Sequence, residues 1–339
     1  MIESSASPVL TKKDFVSDQQ VKWCPGCGDY SILAALQTVL PKLGIPKEKF
    51  AIISGIGCSS RFPYYMDTYG FHTIHGRATA IATGTKLANP DLQVWVITGD
   101  GDGLSIGGNH MLHVLRRNVD LKIILFNNEI YGLTKGQFSP TSPMGLKTKT
   151  SPMGNVDRPL TPVSVALAAG AGFVARSVDN DVKHLTSVME AAAKFKGSAF
   201  IEVLQNCVIF NDGAHNDFYG SLSRKDKVLY LENGKPLTYG ANSEKGLVHK
   251  GFAIDCVDID DANRGQVLTH DTSEETGTLA WTLSQFDYPE RPVPVGIFRS
   301  VERPAFHELV DGQIADARKA RGNGDLDRLL KAGVTWTVD

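Results

Sequence analysis

Three oxygen donors stand at the ends of two apolar runs. Asp100 offers a carboxylate, Asn128 a side-chain carbonyl 28 residues later, and Ile130 a backbone carbonyl. Three hard oxygens with room left for phosphate oxygens is how proteins hold magnesium. Glycines at 99, 101 and 103 remove Cβ atoms where a phosphate must approach backbone N–H groups. The chemistry that fits is a magnesium-bound diphosphate. A second set of residues could hold a metal through sulfur. Cys24 and Cys27 flank a Pro-Gly turn, Cys58 lies in Gly55–Arg61, and Cys207 follows Gln205-Asn206. Four thiolates suit zinc or an iron–sulfur cluster. A structural zinc site usually pairs two Cys-x-x-Cys turns, and only one such pair is present. Two plainer readings stay open: Cys58 and Cys207 as buried core thiols, and Cys24 with Cys27 as a redox pair.

These residues need elements to position them. Gln93–Thr98 and Leu121–Phe126 are short, almost continuously apolar and bounded by Gly or Asn. Each reads as a buried parallel strand. Ser105–Arg117 between them reads as a crossover helix. Phe50–Ser54, Phe173–Val178 and Ala199–Leu204 read as further strands, and Tyr30–Leu40, Pro162–Ala169 and Val182–Lys196 as helices. Ligands bind beyond the carboxyl ends of such strands, so the two oxygen clusters should meet there. Cys58 and Cys207 should lie on the same edge. Rival motifs fail on detail. An EF-hand needs a Gly and a Glu where Ser105 and Met111 stand. A dinucleotide fingerprint counted from Gly101 ends on Ile106.

Composition excludes several classes. The 339 residues are 42% hydrophobic with net charge -2, so no basic excess points to nucleic acid. No window reaches the roughly 18 apolar residues of a membrane helix. Met1–Gln20 carries Pro8 and both charge signs and lacks an apolar signal core. A cytoplasmic location is expected. There, five cysteines are free, ligating or redox-active rather than disulfide-bonded.

The ordered motifs then point to one family. They are Trp23-Cys24-Pro25-Gly26-Cys27-Gly28, Gly55-Ile56-Gly57-Cys58-Ser59, His75-Gly76-Arg77-Ala78, Gly99-Asp100-Gly101-Asp102, Asn127-Asn128 through Gln137, and Cys207. Together they resemble the thiamine-diphosphate-binding β subunit of the 2-oxoacid:ferredoxin oxidoreductases. The resemblance covers roughly Lys22–Asn211. Gly55–Arg77 looks most like the 2-oxoglutarate members.

The resemblance implies a doubly wound, mostly parallel α/β sheet of the thiamine-diphosphate-binding type. An arm at 1–21, a cofactor domain at 22–211 and a less regular extension at 212–339 are expected. It implies a 4Fe–4S cluster on Cys24, Cys27, Cys58 and Cys207, with Cys256 outside the pattern. It implies magnesium on Asp100, Asn128 and the carbonyl of Ile130. Gly101, Asp102, Gly132 and Leu133 would border the diphosphate, and Ile56, Gly57, Cys58, Ser59 and His75 the thiazolium. His75 and Lys135 are the catalytic candidates, Lys135 through coenzyme A. The implied reaction is reversible oxidative decarboxylation of 2-oxoglutarate to succinyl-CoA and carbon dioxide, with electrons passing to ferredoxin. An α subunit would supply the glutamate that activates the aminopyrimidine, making an αβ or α2β2 assembly. A pyruvate or broad 2-oxoacid enzyme, and a non-oxidative thiamine enzyme with structural cysteines, remain alternatives.

Other residues read both ways. Arg61 and Arg77 could each hold a substrate carboxylate or a surface ion pair, and Tyr131 reads as a core aromatic. Thr134–Pro162 is a long polar loop in which Thr141–Gly145 recurs as Thr150–Gly154. Such loops are usually functional or mobile, and this one is expected to cover the cofactor or contact another subunit.

Overall fold

The structure, a computed structural model, describes residues 10–338. The first nine residues of the expected 1–21 arm lie outside the described residues. The strands are β1 (Phe50–Ser54), β2 (Tyr69–His72), β3 (Gln93–Gly99), β4 (Lys122–Asn127), β5 (Phe173–Val178) and β6 (Ala199–Leu204), then β7 (Val228–Leu231), β8 (Thr238–Tyr239), β9 (Lys245–Lys250), β10 (Ala253–Asp258) and β11 (Val293–Ser300). Eight of them form one sheet in the order β2-β1-β3-β4-β6-β5-β11-β7. The first six in that order run parallel. β11 turns antiparallel against β5, and β7 follows β11.

The alternation of side chains explains the layering. Ile52, Trp95, Ile97, Ile124 and Phe126 pack on one face with α1 (Asp29–Val39) and, later in the chain, helix Val182–Lys194. Ile53, Val94, Val96, Ile123 and Leu125 pack on the other face. There they meet α2 (Ala78–Ala88), helix Gly108–Arg116 and helix Pro162–Ala168. Both faces are covered, so β4, β5 and β6 are buried at every position. Burial reaches even Lys122, whose ammonium lies 2.9 Å from Asp120. Lys86 reaches the other Asp120 oxygen at 2.9 Å. Burial alone would raise Asp120, but Lys122 and Lys86 hold its carboxyl well below the usual range.

Two regions differ from their sequence pattern. The expected Ser105–Arg117 helix is two helices, α3 (Asp100–Leu104) and α4 (Gly108–Arg116). The break lets Gly107 pass against Gly76. A Cβ on Gly76, itself at φ 64°, would lie 2.4 Å from the Gly107 nitrogen. The segment 212–339 is also more regular than its weak periodicity suggests. It contributes β7 and β11 to the main sheet and forms a separate antiparallel sheet of β8, β9 and β10. The expected 134–162 loop has no helix or strand up to residue 161, and Pro162 opens the helix Pro162–Ala168. Its two repeats fold back on each other, with Gly145 donating to the Asn155 carbonyl at 2.7 Å. Among the described residues no helix is long and apolar enough to cross a membrane.

Candidate active site

The chain leaves β1 toward the β2 edge and returns on the far side of β1 as β3. Loops after β1 and β3 therefore diverge, and a crevice opens at their carboxyl ends. One cavity there is lined by Ile56, Gly57, Cys58 and Ser59 after β1, and by His75. Asp100, Gly101 and Asp102 after β3, and Asn128, Ile130, Gly132 and Leu133 after β4, complete it. All the residues expected around the magnesium and the thiamine diphosphate thus share one cavity.

At one end lie the oxygen donors. Asp100 is buried, and its Oδ2 is 2.6 Å from both the Ser139 and Thr141 hydroxyls. Burial pushes its carboxyl up, with the two hydroxyls pulling the other way. Asn128 Oδ1 accepts from the Ile130 N–H at 3.3 Å, and Asn128 Nδ2 donates to Gln205 Oε1 at 2.8 Å. Glu129 between them is left-handed (φ 58°), which turns the chain sharply. Burial pushes the Glu129 carboxyl up to about 8, with Asp100, Asp287 and Glu202 adding to it.

Asp102 lines the cavity, but its carboxylate is committed to the protein. It accepts from Gly76 N–H at 2.8 Å, Ile56 N–H at 3.2 Å and the Thr98 hydroxyl at 2.8 Å. His75 Nδ1 lies 3.3 Å away. One side chain thus ties the β1 loop, the His75 turn and the end of β3 together. Tyr131 is more than a core aromatic. Its hydroxyl donates to the Gly101 carbonyl at 3.0 Å. Its ring leaves no room for a side chain at 101, since a Cβ there would sit 2.3 Å from Cε1.

The sulfurs gather at the other end. A Cβ on Gly132 would lie 3.5 Å from Cys207 Sγ and 3.7 Å from Cys58 Sγ, so loops from β1 and β6 meet over that glycine. The Cys24–Cys27 turn is closed by a 3.1 Å bond from Cys27 N–H to the Cys24 carbonyl. Burial raises the Cys27 and Cys58 thiols, Cys58 to about 12; Asp29 and Cys207 act on both, and Cys24 on Cys58. The four thiols therefore share one neighbourhood, while Cys256 is on β10. Among the described residues no three His, Cys, Asp or Glu side chains close around a point where a single ion would sit.

Lys135 is not brought into the cavity. It is exposed, left-handed (φ 77°), and lines an adjacent groove with Lys147, Lys149 and Phe210. Arg61 lines a different groove, with Lys22, Tyr64 and His72, that shares Ile56, Gly57 and Leu133 with the cavity. Its Nε donates to the Tyr65 hydroxyl at 2.9 Å. Arg77 instead clamps its own turn, reaching the His75 and Ile106 carbonyls at 3.4 Å.

Sequence reasoning missed Ser139, Thr141, Gln205 and Asp29. The first two lie in a loop whose hydroxyl-rich composition was the available signal. Gln205 carried none. Asp29 is buried, with Oδ2 lacking any partner, and lines the cavity. Burial pushes its carboxyl up to about 7, and buried Asp179 adds to that.

Residues 55–203 match the thiamine pyrophosphate enzyme C-terminal TPP-binding domain. That match and the crevice define a thiamine-diphosphate enzyme. The chain is 50% identical over 330 residues to the 2-oxoglutarate oxidoreductase subunit KorB of Mycobacterium tuberculosis, covering 96% of this chain and 88% of that one. It belongs to the family of 2-oxoacid oxidoreductase β subunits. A shorter match, 47% identical, joins 62% of this chain to 65% of the 2-oxoacid:ferredoxin oxidoreductase 1 β subunit of Aeropyrum pernix. Among solved structures, the 2-oxoglutarate:ferredoxin oxidoreductase of Magnetococcus marinus, bound to 2-oxoglutarate, coenzyme A and succinyl-CoA, superposes with a TM-score of 0.75. It is 33% identical and covers 96% of this chain and 97% of that one.

Proposed function

We propose that this chain is the thiamine-diphosphate-binding β subunit of a 2-oxoglutarate:ferredoxin oxidoreductase. One observation carries the reading. A single cavity has oxygen donors at one end and, at the other, Cys58, with Cys207 beside it across Gly132. A non-oxidative thiamine enzyme has no need of that adjacency.

The donor chemistry fits both inorganic groups. Asp100 is buried with hydroxyl partners only among its side-chain contacts, a costly state for a carboxylate that a cation relieves. Asp100, Asn128 Oδ1 and the Ile130 carbonyl would hold magnesium. Cys24, Cys27, Cys58 and Cys207 would hold a 4Fe–4S cluster. Burial of Cys27 and Cys58 beside Asp29 disfavours bare thiolates there, and iron would supply the compensating positive charge.

Bound thiamine diphosphate supplies an electron sink that lets a 2-oxoacid lose carbon dioxide. The chain's own residues do the rest. Gly101 leaves backbone open to a diphosphate. Ile56–Ser59, tied to Asp102 through the Ile56 N–H, would stand between coenzyme and cluster. Arg61, its Nε bonded to Tyr65 and its side chain lining the adjoining groove, would meet the distal carboxylate of 2-oxoglutarate. Lys135, with Lys147 and Lys149, offers positive charge to coenzyme A phosphates. The α subunit supplies the pyrimidine-activating glutamate, and ferredoxin takes the electrons.

The test is co-expression with the α partner and assay of dye reduction under anaerobic conditions. Reduction should require 2-oxoglutarate, coenzyme A, magnesium and thiamine diphosphate, and should exceed that with pyruvate. Carbon dioxide release without dye reduction overturns the oxidative reading. A pyruvate preference overturns the substrate.

A further inference from the structure

Between the oxygen donors and the sulfurs lies one buried amide. Gln205 is 1% exposed and directly follows β6. Its Nε2 donates to the Asn206 carbonyl at 2.6 Å and to Cys27 Sγ at 3.4 Å. Its Oε1 accepts from Asn128 Nδ2 at 2.8 Å.

The orientation of this amide is dictated by its neighbours. A backbone carbonyl can only accept, so the Asn206 oxygen requires the NH2 of Gln205 to face it. That leaves Oε1 toward Asn128. Asn128 must then present its own NH2 to Gln205. Its carbonyl oxygen is thereby turned away, to where the Ile130 N–H reaches it. A flipped Gln205 would set two acceptors together at Asn206 and two donors together at Asn128. One backbone carbonyl thus fixes two amides in series.

We infer that Gln205 is a positioning residue that links the two inorganic sites. Through Asn128 it aims a carbonyl oxygen at the magnesium position. Through its second N–H it hydrogen-bonds a cluster sulfur. Such bonds stabilise the more negative, reduced state of an iron–sulfur centre and so raise its potential. The inference rests on the reading of this chain as cluster-bearing.

Two variants separate the roles, each made in the co-expressed complex. Gln205→Met keeps length but has neither donor nor amide oxygen. It should lower the cluster's midpoint potential in an EPR-monitored redox titration, and weaken magnesium–thiamine diphosphate binding about five- to tenfold. Gln205→Glu, protonated in this buried position, keeps an O–H for the Asn206 carbonyl and an oxygen for Asn128, and loses the N–H to Cys27. It should lower the potential while cofactor affinity stays within about twofold. Potentials unchanged in either variant, or cofactor affinity unchanged in Gln205→Met, would overturn the inference. If only Gln205→Glu assembles, its potential alone decides. Failure of both to retain visible cluster absorption also overturns it, because Gln205 would then be a folding requirement. Native complex without iron and sulfide would instead remove the functional reading beneath it.

Discussion

Replacing Asp102 with alanine tests whether the cavity wall is built as described. The carboxylate accepts two backbone N–H groups and one hydroxyl at 2.8–3.2 Å, with His75 slightly farther. Hydrogen bonds to a charged group contribute roughly 1.5–3 kcal/mol each, and a buried N–H left without an acceptor costs about 1–3 kcal/mol. These terms overlap. A loss of about 3–4 kcal/mol in unfolding free energy is therefore expected, with cofactor affinity down about 100-fold as the 55–59 and 75–76 turns loosen. Asp102→Asn should cost only about 1 kcal/mol. Its remaining oxygen can serve the two N–H groups, and the Thr98 hydroxyl can turn to accept from its NH2. Gly55→Ala attacks the same node, because its Cβ would lie 2.0 Å from Asp102 Oδ2. The double variant Gly55→Ala, Asp102→Ala should be clearly less damaging than the sum of the singles. Denaturant unfolding and coenzyme titration of the assembled complex provide the readouts. If Asp102→Ala loses under about 1 kcal/mol and binds coenzyme within twofold of native, the clamp is not what holds the wall.

Three further outcomes follow from other parts of the molecule. Arg61→Met should raise KM for 2-oxoglutarate about tenfold or more while leaving KM for pyruvate unchanged; an equal rise for both would remove Arg61 from substrate recognition. Asp120→Ala strands two buried ammonium groups, Lys86 and Lys122, and should cost about 3–5 kcal/mol in urea unfolding; a loss under about 1 kcal/mol would show that backbone carbonyls suffice for both. Burial depresses His184, His215 and His270, so the folded chain holds them neutral. Below about pH 6.5 the unfolded chain binds more protons. Between pH 7.5 and 5.5 the three histidines should lower stability while the raised Glu129 and Asp29 carboxyls act the other way. The stability of native protein minus that of His215→Gln should therefore fall as the pH is lowered, and a pH-independent difference would contradict the burial of His215.

Legibility followed burial. Phe50–Ser54, Phe173–Val178 and Ala199–Leu204 were readable to the residue because helices cover both faces and nearly every position is apolar or small, the exceptions Arg176 and Glu202 pairing with each other inside at 2.7 Å. The edge strand β2 was not, since Tyr69–His72 is exposed throughout and carries no pattern. Asp100–Leu104 reads as a loop from its glycines, yet it is helical, with Asp102 held from outside by Gly76 and Ile56. β11 hides behind Pro294 and Gly296, and only pairing with distant β5 makes it a strand. The convergence of Asp100, Asn128 and Cys58 could be argued from strand ends alone. Gln205 could not, because its role depends on which way a neighbouring carbonyl points.

The two reversed strands have a practical consequence for anyone trimming this protein. β11 covers β5, supplies the Pro294 carbonyl to Arg176 and lays Phe298 beneath its guanidinium. A product ending at residue 211 would retain every residue assigned above to the coenzyme and the cluster and still expose β5 as a raw border of unpaired amides. Such a border invites other chains to zip onto it. Insoluble material from that fragment would reflect a missing hem, not a missing cofactor.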